Sequence, residues 1–218
     1  MRTPPLLAVV ALASISAFSG CASGYQYIKN DDLGVYAKVP GGWTVFDEAD
    51  LYPGASERDL QRLSQVRWTR TFVAGHDGQG VEASMTKGGS VPAGQVSILA
   101  VPPQAREVLD LRTMRGGGDP NSDPLTLEQQ GGSPTGEQYS VISDDPVSMP
   151  GGYSGLHTVY AVSGQAEPYI VDQTVVRSAD SSRIVLFTVS CTEQCYSETY
   201  KNQIKTLVDS WTIQEVQS

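Results

Sequence analysis

Between residues 137 and 191 the chain reads as four extended segments in close succession: EQYSVISDDPVSM, YSGLHTVYAVSG, PYIVDQTVVRSAD and SSRIVLFTVSC. Each is rich in β-branched and aromatic residues, and turn residues separate them. Ala179-Asp180-Ser181-Ser182 marks a hairpin. The stretch that follows, YSETYKNQIKTLVDSW, changes period, with Tyr200, Ile204, Leu207 and Val208 at helical spacing. That stripe has to pack on the sheet the strands make. Trp211 and Ile213 close the chain as a last strand or strap. Strands in consecutive hairpins, with helices before and after them, give the expected fold class: α+β, an antiparallel β-sheet with helices packed on it.

The first half supplies further strands and short helices. In YQYIKNDDLGVYAKVPGGWTVF, residues 25–46, Val35, Ala37 and Val39 share one face and Tyr36 and Lys38 the other. Pro40-Gly41-Gly42 turns the chain into Trp43 and Val45, so the stretch is expected as a strand pair. Ser56 stands three residues before Asp59, approximating a capping box, and Leu60 and Leu63 share one side; a helix is expected over 56–66. Strands are expected over 68–74 and 95–101, with another around Val81–Met85 after the Gly-rich AGHDGQG. Pro103 near a helix start, with Val108, Leu111 and Met114 or Arg115 at helical spacing, predicts a helix over 104–115. Gly116–Gly118 ends it. Residues 116–134, GGGDPNSDPLTLEQQGGSP, have little to bury and read as a long loop, functional or a mobile insertion.

Three of these stretches, LGVYAKVPGGWTVF, PGGYSGLHTVYAV and YKNQIKTLVDSWTI, together resemble the PsbP-like family over most of residues 33–213. In that family an early Pro-Gly-Trp turn and a terminal helix ending in a Ser-aromatic pair bracket an antiparallel sheet. The pattern is also similar to exported bacterial lipoproteins that use this fold, actinobacterial ones in particular. The Gly-rich segment at 116–134 departs from it. The resemblance implies a domain over 33–218, a three-layer α/β/α sandwich and a non-catalytic accessory role.

The amino terminus carries an address. Arg2 precedes an apolar run from Leu6 to Phe18, interrupted only by Ser14 and Ser16, and small residues follow. These are the parts of a secretory signal peptide, and the run falls short of the ~20 residues a membrane span needs. Ser19-Gly20-Cys21 resembles a lipobox, with Phe18 where Leu is usual. Residues 1–20 are therefore expected as a lipoprotein signal peptide, Cys21 as the lipidated first residue, and 21–32 as tether and first extended segment. A type I cut after Cys21-Ala22-Ser23 would discard the cysteine instead. Either cut leaves Cys191 and Cys195 as an even pair in an oxidising compartment, expected as a disulfide. A metal reading of C-x₃-C needs two more ligands, and the chain's two histidines, His76 and His157, are distant in sequence.

Other groups carry weaker signals. His76-Asp77 could supply the base and orienter of a triad, but GYSGL around Ser154 lacks the spacing of a nucleophile elbow. His157 reads as a sheet-surface residue. Asp119, Asn121 and Asp123 alternate as calcium ligands do, yet Pro124 and Gln130 stand where an EF-hand loop needs glycine and glutamate. Asp31-Asp32 and Asp144-Asp145 read as turn aspartates. Ten tyrosines suit strands and interfaces equally. No cofactor motif is present, so neither cofactor nor metal is expected. A formal net charge of −9 repels phosphate backbones, so nucleic acid is not an expected partner. The expected protein is a lipid-anchored accessory protein on the extracytoplasmic face of the cell membrane, binding an envelope protein, glycan or lipid without catalysis. The alternatives are a small-molecule carrier with a pocket between sheet and C-terminal helix, and an envelope hydrolase using His76 and Asp77.

Overall fold

Alternation on strands and one amphipathic helix sort the side chains into layers. A computed structural model describes residues 24–75, 88–164 and 167–214. In chain order the strands are β1 (Tyr25–Asn30), β2 (Val35–Pro40), β3 (Trp43–Phe46), β4 (Arg67–Ala74), β5 (Ala93–Ala100), β6 (Gln138–Met149), β7 (Tyr153–Ser163), β8 (Tyr169–Arg177), β9 (Arg183–Thr192) and β10 (Thr212–Ile213). The helices are α1 (Glu48–Leu51), α2 (Glu57–Ser64), α3 (Pro103–Arg106), α4 (Leu111–Arg115), α5 (Pro124–Gln129) and α6 (Lys201–Ser210). The expected Val81–Met85 strand lies outside the described residues.

Seven strands form one sheet in the order β3-β4-β5-β9-β8-β7-β6, every neighbouring pair antiparallel. Central β9 buries both faces. Val185, Phe187, Val189 and Cys191 join a core with Ile204, Leu207 and Trp211, whereas Ile184 and Leu186 join Val101, Leu109, Met114 and Val175 on the other side. A second sheet, β1-β2-β10, lies over the first of these faces. It contributes Ile28, Val35, Ala37, Val39 and Ile213 to that core. Helix α6 continues the layer, with the Lys38 amide donating to Ser210 Oγ at 2.9 Å. The result is three layers, with the large sheet between the β1-β2-β10/α6 layer and the short helices α3–α5.

β2 and β3 are both strands, but they are not a pair. β2 runs between β1 and β10, and β3 pairs with β4 in the other sheet. Pro40-Gly41-Gly42 carries the chain from one layer to the next, because Trp43 has its own burial site against Phe72, ring centroids 5.9 Å apart. The Gln26 side chain fastens the crossing by donating to the Trp43 carbonyl. Two short helices also replace the one expected over 104–115. Asp110 starts a new cap by accepting from the Thr113 amide at 2.9 Å, and Arg177 Nη1 donates to the Leu109 carbonyl at 3.2 Å. Helical phasing is thereby reset: Leu109 is buried and Val108 is 70% exposed. Residues 116–134, read as a loop, contain a 3₁₀ turn (Pro120–Ser122) and α5, held by buried Pro124 and Leu127.

Candidate functional site

A cleft of about 310 Å³ opens on the side of the large sheet that carries α3 and α4. Inward alternation along β4, β5 and β9 puts Thr69, Thr71, Gln95, Ser97, Thr188 and Ser190 on its wall. Apolar residues at the same register would close the sheet against a helix; hydroxyls instead leave a polar floor. Thr69 Oγ1 and Ser97 Oγ lie 3.0 Å apart and share a hydrogen bond. At the rim, Arg67 Nη2 donates to the Tyr52 hydroxyl at 2.6 Å, and its guanidinium sits 5.6 Å from the Tyr52 ring centroid. The Arg67 Nε is buried with no hydrogen-bond partner. The cleft therefore offers hydroxyls, a carboxamide, an aromatic ring and a cation at its rim, a set suited to holding a polar group.

Two other polar clusters are structural in their geometry. On the opposite face of the sheet, His157 of β7 pairs with Asp172 of β8 at 2.8 Å, and the Tyr196 hydroxyl donates to the second carboxylate oxygen at 2.7 Å. The Asp172 hydrogen bond raises the His157 pKa above its ordinary value, against the effect of burial, with Asp145 adding to the field. Burial pushes the Tyr196 phenol up, and the Asp172 charge adds to it. Among α4, α5 and β6, Arg115 Nε donates to Asp123 at 2.8 Å and its Nη1 to Asp144 at 3.2 Å. Gln173 donates to the Arg115 carbonyl, and Thr158 to Asp144. Burial alone would raise the Asp123 carboxyl, but hydrogen bonds from Arg115 and Thr126 hold it below the usual carboxylate range.

These contacts reassign several expected groups. Asp119 accepts from the Asn121 amide and from Ser122, while fully buried Asp123 turns away to Arg115, so the three alternating residues do not converge on a calcium ion. Asp144 and Asp145 lie within β6 rather than in a turn. β6 is an edge strand, the place in a sheet that tolerates proline, and Pro146 stands opposite Leu156 of β7. Asp31 and Asp32 do occupy the β1–β2 turn. Cys191 and Cys195 form a disulfide, both residues buried, at the handover from β9 to a single π-turn before α6. Among the described residues, no three His, Cys, Asp or Glu side chains are grouped to share a metal. Cys21, His76 and Asp77 lie outside the described residues.

Where the carrier pocket was expected, between the sheet and α6, the core fills part of the space and a groove of about 390 Å³ remains. Ile204 and Leu207 are buried there, and Trp211 stacks on Phe187 with ring centroids 5.6 Å apart. What remains beside α6 is an open groove along Tyr196, Lys201, Ile204, Lys205 and Val208. Sequence reasoning missed Arg67, Arg115 and Asp172. Only Asp172 left a signal, as a carboxylate inside the otherwise strand-like run YIVDQTVV, where burial demands a partner.

No family model and no curated protein matches the chain. Among solved structures, the chain is similar to cyanobacterial PsbP from Synechocystis sp. PCC 6803, at 16% identity and a TM-score of 0.47, covering 92% of this chain and 99% of that one. It is similar to the Ran-binding protein Mog1p of Saccharomyces cerevisiae, at 10% identity and a TM-score of 0.45, covering 87% and 95%. It is also similar to LpqN of Mycobacterium tuberculosis, described as involved in cell envelope biogenesis, at 15% identity and a TM-score of 0.44, covering 88% and 91%. The cyanobacterial PsbP structure belongs to the family that the sequence pattern resembles.

Proposed function

We propose that the chain is an exported accessory protein, anchored by lipid on Cys21 at the outer face of the cell membrane, that holds an envelope glycan in the β4-β5-β9 cleft without transforming it. The observation that carries this reading is the cleft itself. Its wall of Thr and Ser hydroxyls, the Gln95 carboxamide and the Arg67 guanidinium at the rim match the hydrogen-bonding needs of a sugar, and the Tyr52 ring gives a sugar face something to rest on. Its volume, about 310 Å³, suits one or two rings. An acyl chain there would bury Arg67 and the hydroxyls against hydrocarbon and leave their hydrogen bonds unmade. The leader and lipobox-like Ser19-Gly20-Cys21 support the address.

The test is a calorimetric titration of the mature protein with neutral and uronic-acid disaccharides. At least one is expected to bind saturably, and Arg67→Ala is expected to weaken it by about tenfold or more, the loss of one charge-assisted hydrogen bond. Absence of saturable heat for every sugar, or an Arg67→Ala variant that binds unchanged, would remove the glycan reading.

A further inference from the structure

The outward face of the small sheet has an unusual composition for a protein of net charge −9. Alternation sends Ile28, Val35, Ala37 and Val39 into the core, so Tyr25, Tyr27 and Lys29 of β1 and Tyr36 and Lys38 of β2 point outward together. Register places them in a grid, with Tyr27 opposite Lys38 and Lys29 opposite Tyr36. Lys38 Nζ lies 3.9 Å from the Tyr25 ring centroid, and Lys29 Nζ lies 5.6 Å and 6.0 Å from those of Tyr27 and Tyr36. The Tyr27 and Tyr36 rings are 5.5 Å apart, and Tyr27 is 46% exposed. The acidic residues nearest in sequence, Asp31 and Asp32, sit in the turn at the far end of β1 from Tyr25.

We infer that this Tyr/Lys face lies on the anionic headgroup surface of the bilayer that holds the lipid anchor. The inference rests on the reading of Cys21 as lipidated, and covalent reach then does much of the work. Tyr25 is four residue steps along the chain from Cys21, a span of at most about 14 Å when fully extended. Crossing one headgroup zone uses roughly 5–7 Å of that. Tyr25 is therefore held within about a Debye length, ~8 Å at physiological salt, of the lipid phosphates. At that distance something must face the membrane, and the rest of an acidic globule is repelled by it. Tyrosine rings favour the membrane–water interface, and each lysine near an anionic surface improves partitioning about fivefold. Cation–π contacts keep the ammonium groups over the rings, so the face presents charge without ordering long side chains anew. The geometry also fits the glycan reading. The cleft is on the opposite face of the large sheet from the small one, so a face-down small sheet points the cleft away from the bilayer.

The test uses the mature lipidated protein reconstituted into phosphatidylcholine vesicles containing about a third phosphatidylglycerol, a composition that supplies the anionic surface the inference requires. Flotation reports anchoring, and acetylation by a membrane-impermeant amine reagent, read by peptide mass spectrometry, reports the face. The expected result is that the wild type floats and that Lys29 and Lys38 react about fivefold or more slowly, relative to Lys205, than in the soluble Cys21→Ala protein. Floating protein whose Lys29 and Lys38 react at the soluble rate overturns the membrane face and leaves the anchor standing. Wild type that does not float overturns the anchor and takes this inference with it. Protection that already appears in soluble Cys21→Ala protein at high concentration assigns the face to a second copy of the chain and likewise overturns the inference.

Discussion

Arg115 shows what a single side chain decides here: its side chain is 9% exposed and bridges Asp123, which is fully buried, and Asp144 across three elements. Truncating one partner of such a pair strands a charge without solvent, which typically costs about 3–5 kcal/mol. Arg115→Ala is therefore expected to lower the urea-unfolding free energy by about 3 kcal/mol or more, and a loss below about 1 kcal/mol would show the network to be solvated. His157 makes stability depend on pH. Its folded pKa is raised by Asp172, so the protonated pair contributes stability that is complete below the ordinary histidine value of about 6.5 and disappears as pH climbs through the folded pKa. Unfolding midpoints measured from pH 5.5 to 8.5 should fall across that window in the wild type, and His157→Gln should flatten the decline. A midpoint that rises with pH through the same range would contradict the assignment.

At the scale of elements, the β9–α6 junction joins the middle of the large sheet to the layer above it. The Cys191–Cys195 bridge spans a Cα separation of 5.9 Å, and after α6 the chain returns as β10 to pair Thr212 and Ile213 with Tyr36 and Val35. Closing so short a loop removes about 2 kcal/mol of unfolded-chain entropy. Cys191→Ala/Cys195→Ala is thus expected to be less stable by about 2 kcal/mol, read from chemical denaturation, with far-UV circular dichroism unchanged. A collapse of the β signal would mean that the bridge directs the strand pairing itself. The α3–α4 break shows why local pattern misleads at this scale: Val108, Leu111 and Met114 keep helical spacing, but the Asp110 cap and the Arg177 contact decide which of them is buried. Similarly, α5 is held by a buried carboxylate and by Leu127, neither of which announces itself in a stretch crowded with Gly, Pro and Asp.

For the whole molecule, the β1-β2-β10 sheet and the cleft lie on opposite sides of the large sheet, and the proposed anchor at Cys21 would precede the small sheet directly in the chain. Intact-mass analysis of the protein purified from membranes is expected to give a chain starting at Cys21 with a diacylglycerol adduct, and two protons fewer than the thiol form because of the Cys191–Cys195 bridge. A chain starting at Gly24, or one retaining Met1, would contradict the address. The antiparallel class, the four late strands, the hairpin at 179–182 and the terminal helix were all legible in the sequence, because alternation of period 2 and a stripe of period 3.6 are local properties of a chain with one buried face. The Cys191–Cys195 pairing was legible too, since setting Cys21 aside leaves these two as an even pair. Tertiary structure alone decided that β2 and β3 belong to different sheets, that Asp123 and Asp144 share Arg115, and that the hydroxyls of β4, β5 and β9 line a cleft instead of a flat surface. Those outcomes depend on residues brought together from distant parts of the chain, where burial and electrostatic pairing outweigh local preference and leave no periodic trace.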